Sequence, residues 1–424
     1  MPEARTAPPV SRTHGTDQTP APAAQRPDPP TGTPPVREIW FAAWPVVAIF
    51  ILSNAAMPLY AVWQHRIGFG SGTLTLIYAA YVVGLLGALT FAGVASDRIG
   101  RKPVLVPALL VALAACLIYA TAPSVAALAT ARLLTGLATG AAVSAGMAAV
   151  TDIAAGRRLG PLLASTAMVL GAGIGPVLAG VLSETAPAPT VTVFAVEAVL
   201  LVTALAVVAR MPLPRRRRTA AGREPGAWVR LPAVPRANRR HLALGLAAFA
   251  PGISATAFVL SLGPSLLAGL LGTTNRTVAG ALALAMFLTA TGVQFAVRRL
   301  AVRTILLVSG AATLAGTSAL VAAVHTASLG PLIAAALLAG AGQGAGQLGG
   351  LTLLSREVAA TRRAEANAAL NAGGYALAGA LPVADGYLSD AIGLSAGATV
   401  FGLAVAALAI AGAAVVAVRG GDTR

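Results

Sequence analysis

Charge is scarce in this sequence. Only 10% of the 424 residues are Asp, Glu, Lys or Arg, where a soluble globular domain carries about 25%. The deficit runs through nearly the whole chain, while 57% of the residues are hydrophobic and the mean hydropathy is +0.78. So much apolar sequence exceeds what one water-soluble core can hide. Cysteine is almost absent. Cys116 is the sole one and lies inside an apolar run, which excludes a disulfide within the chain and a thiolate metal cluster. The histidines, His14, His65, His241 and His325, are scattered and form no metal set. A phosphate-cradling glycine loop and a nucleophile elbow are both missing, so neither a cofactor nor an enzyme activity is expected. Residues 1–38 contain Pro, Thr and Ala but no long apolar stretch. They read as a disordered cytoplasmic tail, not as a cleaved signal.

What is present is a series of apolar runs of about 20 residues, each long enough to cross a roughly 30 Å hydrocarbon layer as a helix. They fall at roughly 39–62, 73–95, 103–122, 124–150, 161–183 and 190–210, and again at 241–267, 277–297, 302–324, 328–354, 364–388 and 392–418. The abundance of Gly and Ala suits close helix packing in lipid, and the alternation of an outer-membrane barrel is missing. The net charge of +16 lies between the runs, which points to membrane orientation and away from nucleic acid. One side collects Arg37, Arg98, Arg101, Lys102, Arg157, Arg158, Arg298, Arg299, Arg303, Arg356, Arg362, Arg363, Arg419 and Arg424. The other collects only Arg66 and Arg276 as basic residues, with Glu184 and Asp390. The positive-inside rule then puts both termini in the cytoplasm of a multi-pass inner (plasma) membrane protein. The 211–240 connection, with Arg215, Arg216, Arg217 and Arg218, is expected as a basic linker held at anionic lipid. It separates halves at 39–210 and 241–418, and residues 419–424 form a short tail.

The halves repeat. Pro176, Val177, Gly180, Leu182, Ser183 and Glu184 recur as Pro382, Val383, Gly386, Leu388, Ser389 and Asp390, and Pro58 recurs as Pro264. Gly136 and Gly140 recur as Gly340 and Gly344 at a slightly different offset. A duplicated six-helix unit suits a transporter that rocks two halves around a central site.

Three short patterns carry chemistry. The first loop holds Gly93, Asp97, Gly100, Arg101 and Lys102. Gly93 allows close helix approach and Gly100 a tight turn, while Asp97 can accept hydrogen bonds from a helix N-terminus or from Arg101. The fourth run holds Arg132, Gly136 and Gly140. An arginine inside a membrane helix needs protein or water around it and a partner. The fifth run holds Gly171, Gly175, Pro176, Ala179 and Gly180, which favour close packing and a weakened helix.

The first pattern resembles the signature of the major facilitator superfamily, with every key position filled. The resemblance implies an all-α integral membrane fold of twelve transmembrane helices in two pseudo-symmetric halves. It also implies a latch formed by Asp97 and Arg101, with Asp152 as a second acid on the arginine. Arg132 is similar to the family's proton-coupling motif, and a structural arginine on backbone carbonyls of the first span is the alternative. Gly171 to Gly180 resemble the antiporter motif, with Ala179 in place of a glycine, and ordinary helix packing is the alternative. Together with Tyr78 and Tyr81, the first span resembles bacterial drug:proton antiporters. The later loop around Arg298, Arg299 and Arg303 lacks the acid and turn glycine, so only an orientation role is expected there. Gly386, Asp390 and Gly393 echo the first motif on the wrong side and are rejected as a copy of it.

Acids within the runs are rare. Glu197 and Asp385 are the candidates for carrying a proton, and Glu197 shares a depth with Arg132 that would allow a couple. The family's cavity-lining spans nominate Asn54, Gln343 and Gln347 as substrate contacts. Asn371 and Tyr375 share a helix face with Asn367, whose amides alternatively bond between helices. The reading is a monomeric, proton-coupled exporter of small amphipathic molecules among membrane lipids, with nutrient uptake on the same fold as the alternative.

Overall fold

The structure, a computed structural model, describes residues 36–154, 160–211, 233–272, 275–359 and 362–419. Arg157, Arg158, Arg424, nearly all of the expected N-terminal tail and most of the 211–240 linker lie outside them. Among the described residues every regular element is helical. The helices are α1 (Arg37–Gly68), α2 (Ser71–Ile99), α3 (Lys102–Thr121), α4 (Val125–Ile153), α5 (Leu163–Thr185), α6 (Pro189–Arg210), α7 (Arg236–Gly269), α8 (Arg276–Val297), α9 (Val302–Thr326), α10 (Leu329–Glu357), α11 (Arg363–Ile392) and α12 (Leu394–Val418). All but α11 are both long and apolar enough to cross a membrane. The 30 residues of α11 reach about 45 Å, ample for a crossing. Arg363, Glu365, Asp385 and Asp390 make it the least apolar of the twelve.

Local chemistry sets the ends. Ser124 accepts from the backbone of Ala127 and Asn275 from those of Thr277 and Val278, capping α4 and α8. Gly100 follows α2 with φ +98°, which L side chains rarely adopt, so the tight turn expected there forms. Pro58 sits in a tight turn, Met57–Leu59, inside α1, and α4 carries a wide turn over Ala142–Gly146.

Small residues set the packing. A Cβ on Gly136 would stand 2.1 Å from the Tyr81 carbonyl oxygen, and one on Gly344 would stand 2.0 Å from that of Ala290. The repeated pair thus presses α4 on α2 and α10 on α8, as mates under one pseudo-two-fold. In α5, Gly171 and Gly175 lie against the carbonyls of Val47 and Ile51 in α1, whereas Gly180 meets Arg276 of α8 in the other half. Gly93 departs from expectation. A Cβ there meets nothing nearer than Ser144 at 4.0 Å, because α2 and α4 have already diverged at that level.

Two seams join the halves, α5 on α8 and α2 on α11. Of the eleven apolar spans, α1, α7, α4 and α10 are the most buried, at 89%, 78%, 61% and 50% of their apolar windows. These are two pseudo-symmetric pairs, and they place the centre of the molecule between them. The end of the bundle with Asp97, Asp152 and Glu357 is called the basic end below, and the end with Glu184, Arg276 and Asp390 the far end.

Candidate functional site

Arg132 sits in α4 with no exposed surface. Its Nε donates to the Tyr60 hydroxyl and an Nη donates to the Ser53 carbonyl, 2.6 Å away. The rings of Tyr60, Tyr78 and Tyr81 surround the guanidinium, with centroids 5.4, 5.5 and 5.4 Å from Cζ. Cation–π attraction in a desolvated site contributes about 2 kcal/mol per contact, so the cage offsets part of the cost of burying this charge. The second Nη finds no hydrogen-bond partner in the protein. Tyr375 is carried by α11, which packs on α2, the helix that carries Tyr78 and Tyr81. The Ser53 bond is the span-one carbonyl contact that the structural alternative for Arg132 called for.

The Glu197–Arg132 couple that a shared depth would allow is not made. Both Glu197 oxygens are buried without a protein partner. A shared depth is not a shared direction: α6, which carries Glu197, packs on α3 and α1, while Arg132 turns toward Ser53 and Tyr60 of α1 and Tyr78 and Tyr81 of α2. Near Glu197, Trp63, Tyr119 and Phe194 stack with centroids 4.6 to 6.0 Å apart. The Trp63 Nε1 and Tyr119 hydroxyl are also unpartnered. Buried orphan polar atoms are uncommon and call for an explanation. Asp385 is buried in α11, with one oxygen 3.4 Å from the Ser389 hydroxyl and the other unpartnered.

The nominated cavity residues divide. Asn54 donates to the Ser53 hydroxyl at 3.0 Å and is buried. Gln343 and Gln347 are half-buried in α10, and the side-chain oxygens of Gln343, Asn367 and Asn371 have no protein partner. The interhelical bonds expected as an alternative for Asn367 and Asn371 are therefore not made by those oxygens.

At the basic end, Arg101 donates to Asp97 at 2.8 Å, to Asp152 at 3.1 Å and to the Ser96 hydroxyl at 2.7 Å. Partial burial alone would lower the guanidinium pKa. The hydrogen bonds and charges of Asp97 and Asp152 outweigh that and raise it. Asp97 and Asp152 are well exposed, so each pair contributes about 0.2–1 kcal/mol. That scale suits a switch better than a fold anchor. Lys102 bonds the Ala209 carbonyl at the end of α6, at 3.0 Å. In the other half Arg303 bonds the Ala417 carbonyl at the end of α12, at 2.8 Å. Beside the orientation role expected for the later loop, Arg303 repeats the contact of Lys102.

Sequence reasoning also missed the far end. Both Asp390 oxygens accept from the first backbone N–H groups of α2, Ser71 at 2.7 Å and Gly72 at 2.8 Å. A Glu184 oxygen accepts from the first N–H of α8, that of Arg276, at 2.9 Å, and lies 3.6 Å from the Arg276 side chain, which bonds the Ser183 carbonyl. Asp390 is still no copy of the basic-end loop. Its 206-residue repeat with Glu184 was the available signal.

Three comparisons bear on identity. A family model described as Major Facilitator Superfamily matches residues 39–328. No curated protein matches the chain. Among solved structures, a point mutant of the nucleoside transporter NupG superposes with a TM-score of 0.71 at 12% identity, covering 89% of this chain and 99% of its own. A bacterial homologue of the human lysosomal transporter Spinster, inward-facing and occupied, gives 0.71 at 15% identity, covering 92% and 98%. Its inward-facing, unoccupied form gives 0.68 at 13% identity, covering 91% and 97%. At these identities the likeness is one of fold. With the family match over more than half its length, twelve long helices and paired halves, the chain belongs to the major facilitator superfamily of small-molecule transporters.

Proposed function

We propose that this transporter is a proton-coupled exporter of small amphipathic organic molecules, working by alternating access in the plasma membrane. In this reading the basic end and both termini face the cytoplasm, the protein works as a monomer among membrane lipids, and the far end faces outside. The observation that carries it is the buried, caged Arg132 in a protein whose spans also bury two carboxyl groups, Glu197 with both oxygens and Asp385 with one oxygen lacking a protein hydrogen-bond partner. A proton arriving on a buried carboxylate removes a charge that the protein otherwise has to stabilise. Export over uptake is supported by the Gly171–Gly180 segment, where one helix packs closely on both α1 and α8. The mostly apolar interior with few formal charges suits an amphiphile.

A second reading, uptake of a neutral solute rich in hydrogen-bond donors, is favoured by the orphan amide oxygens of Gln343, Asn367 and Asn371. Everted vesicles separate the two. Once energised, they are expected to accumulate fluorescent amphiphiles, to lose them on adding an uncoupler, and to fail with Glu197→Gln or Asp97→Asn. Proton-driven solute accumulation in right-side-out vesicles instead would install the uptake reading.

A further inference from the structure

The two carboxylates at the far end form a matched pair. Glu184 ends α5 and reaches the N-terminus of α8, while Asp390 lies near the end of α11 and reaches the N-terminus of α2. The acids are 206 residues apart, and their targets, Ser71 and Arg276, are 205 apart. Both contacts cross between the halves, one on each seam. The first N–H groups of a helix have no partner within it and carry about half a positive charge in sum. A carboxylate fixed there satisfies the orphan donors and the dipole together, and it does so only while the halves touch.

The flanking backbone is made for that approach. A Cβ on Gly180 would stand 2.6 Å from the Arg276 carbonyl oxygen, and one on Gly386 would stand 2.7 Å from that of Ser71, the same contact in both seams. Gly70, just before α2, leaves its Cβ space to the Asp390 carboxylate, 2.6 Å away. Beside the α8 contact lies a cavity of about 320 Å³ lined by Pro58, His65, Pro264, Asn275 and Arg276.

We propose that Glu184 and Asp390 are the gate residues of the far end, and that both bonds must be released before that end opens. The proposal rests on the alternating-access reading but not on the proton or the substrate. Each seam alone leaves the other as a hinge, so the pair holds the face shut more firmly than either bond does.

The test is a labelling assay in a Cys116→Ala background with Gln343→Cys as reporter. A membrane-impermeant maleimide is applied separately to each face of the membrane. Glu184→Gln and Asp390→Asn are each expected to raise labelling from the far face by about twofold to tenfold. The double variant is expected to exceed both, with a matching fall from the basic face. Glu365→Gln, which removes an acid paired with Arg362 at the basic end, is expected to leave far-face labelling unchanged. Parent-level labelling in folded single or double variants overturns the gate. If the double variant loses its monodisperse elution profile, the two single variants decide. Efflux is measured in parallel on the protein with Gln343 and Cys116 intact: shifted labelling of the variants with no proton-driven efflux by that protein sinks the efflux reading alone, and its efflux with unshifted labelling sinks the gate alone.

Discussion

The two halves share a packing plan and differ in chemistry. Gly136 and Gly140 press α4 on α2 as Gly340 and Gly344 press α10 on α8. In the register of that repeat, Arg132 falls on Ala336, which is equally buried. In the longer register Asp385 falls on Ala179 and Glu197 on Leu403. One half therefore holds the caged cation and the other offers the amides of Gln343, Gln347, Asn367 and Asn371. The difference teaches which constraints a duplicated fold keeps. A backbone contact near 2 Å from a built Cβ admits only glycine, whatever the substrate. A side chain in the interior answers only to the chemistry it serves, and the halves have diverged there.

The largest expected effect tests the shared part. Gly136→Val and Gly344→Val each place a Cβ within about 2 Å of a carbonyl oxygen, which neither rotamer choice nor a small shift relieves. Overpacking on this scale costs about 3 kcal/mol or more. Both variants are expected to lose the folded fraction on detergent size-exclusion, and to the same extent. A folded Gly344→Val beside an unfolded Gly136→Val would break the equivalence of the halves.

Arg132 tests the divergent part. Arg132→Lys keeps a charge but cannot bond both Ser53 and Tyr60 in their present geometry, and it lacks the planar face that meets three rings. Losing one charge-assisted bond costs about 1.5–3 kcal/mol. A clear fall in the thermal midpoint, together with lost proton-driven transport in vesicles, is expected. Ala336→Ser, at the matching site, is expected to keep transport. Equal losses from both substitutions would mean that Arg132 serves packing alone.

Much of this was legible in the sequence because hydropathy and glycine spacing report backbone demands directly. Apolar runs gave the helices, and Gly136, Gly171 and Gly175 were readable as close contacts. Gly100 was readable as a turn. Asp97 and Arg101 meet as their pattern allowed, and Asp152 joins them as the family resemblance implied. Direction was harder to read. Rise per residue put Glu197 level with Arg132, but the Glu197 oxygens make no hydrogen bond in the protein, and Arg132 bonds Tyr60 and Ser53 of α1. Gly93 shows a related gap, since a motif glycine need not be in contact in every arrangement of the helices. Asp390 was visible as a repeat of Glu184. Its partner is a backbone N–H in another helix, which carries no residue-type signature to search for.

The smallest expected effect sharpens the comparison at the basic end, where the second loop has lost its acid but kept a cation in the working position. Lys102→Ala and Arg303→Ala each remove one bond to the last carbonyls of a helix, α6 or α12. A cation at a helix C-terminus contributes about 0.3–1 kcal/mol at an exposed site. In a protein of this size that is a fall of about 1–2 °C in thermal midpoint, measurable by differential scanning fluorimetry in detergent. Equal small falls are expected for the two variants, because the bond is the same. Transport should separate them. Lys102 adjoins Arg101, whose bonds to Asp97 and Asp152 tie α2 to α4, whereas Arg303 follows a loop with no acid to hold. Lys102→Ala is therefore expected to slow transport as well, and Arg303→Ala to leave its rate unchanged. A transport defect in Arg303→Ala equal to that of Lys102→Ala would show that the helix cap, common to both halves, sets the rate, and that the Asp97–Arg101–Asp152 triad does not.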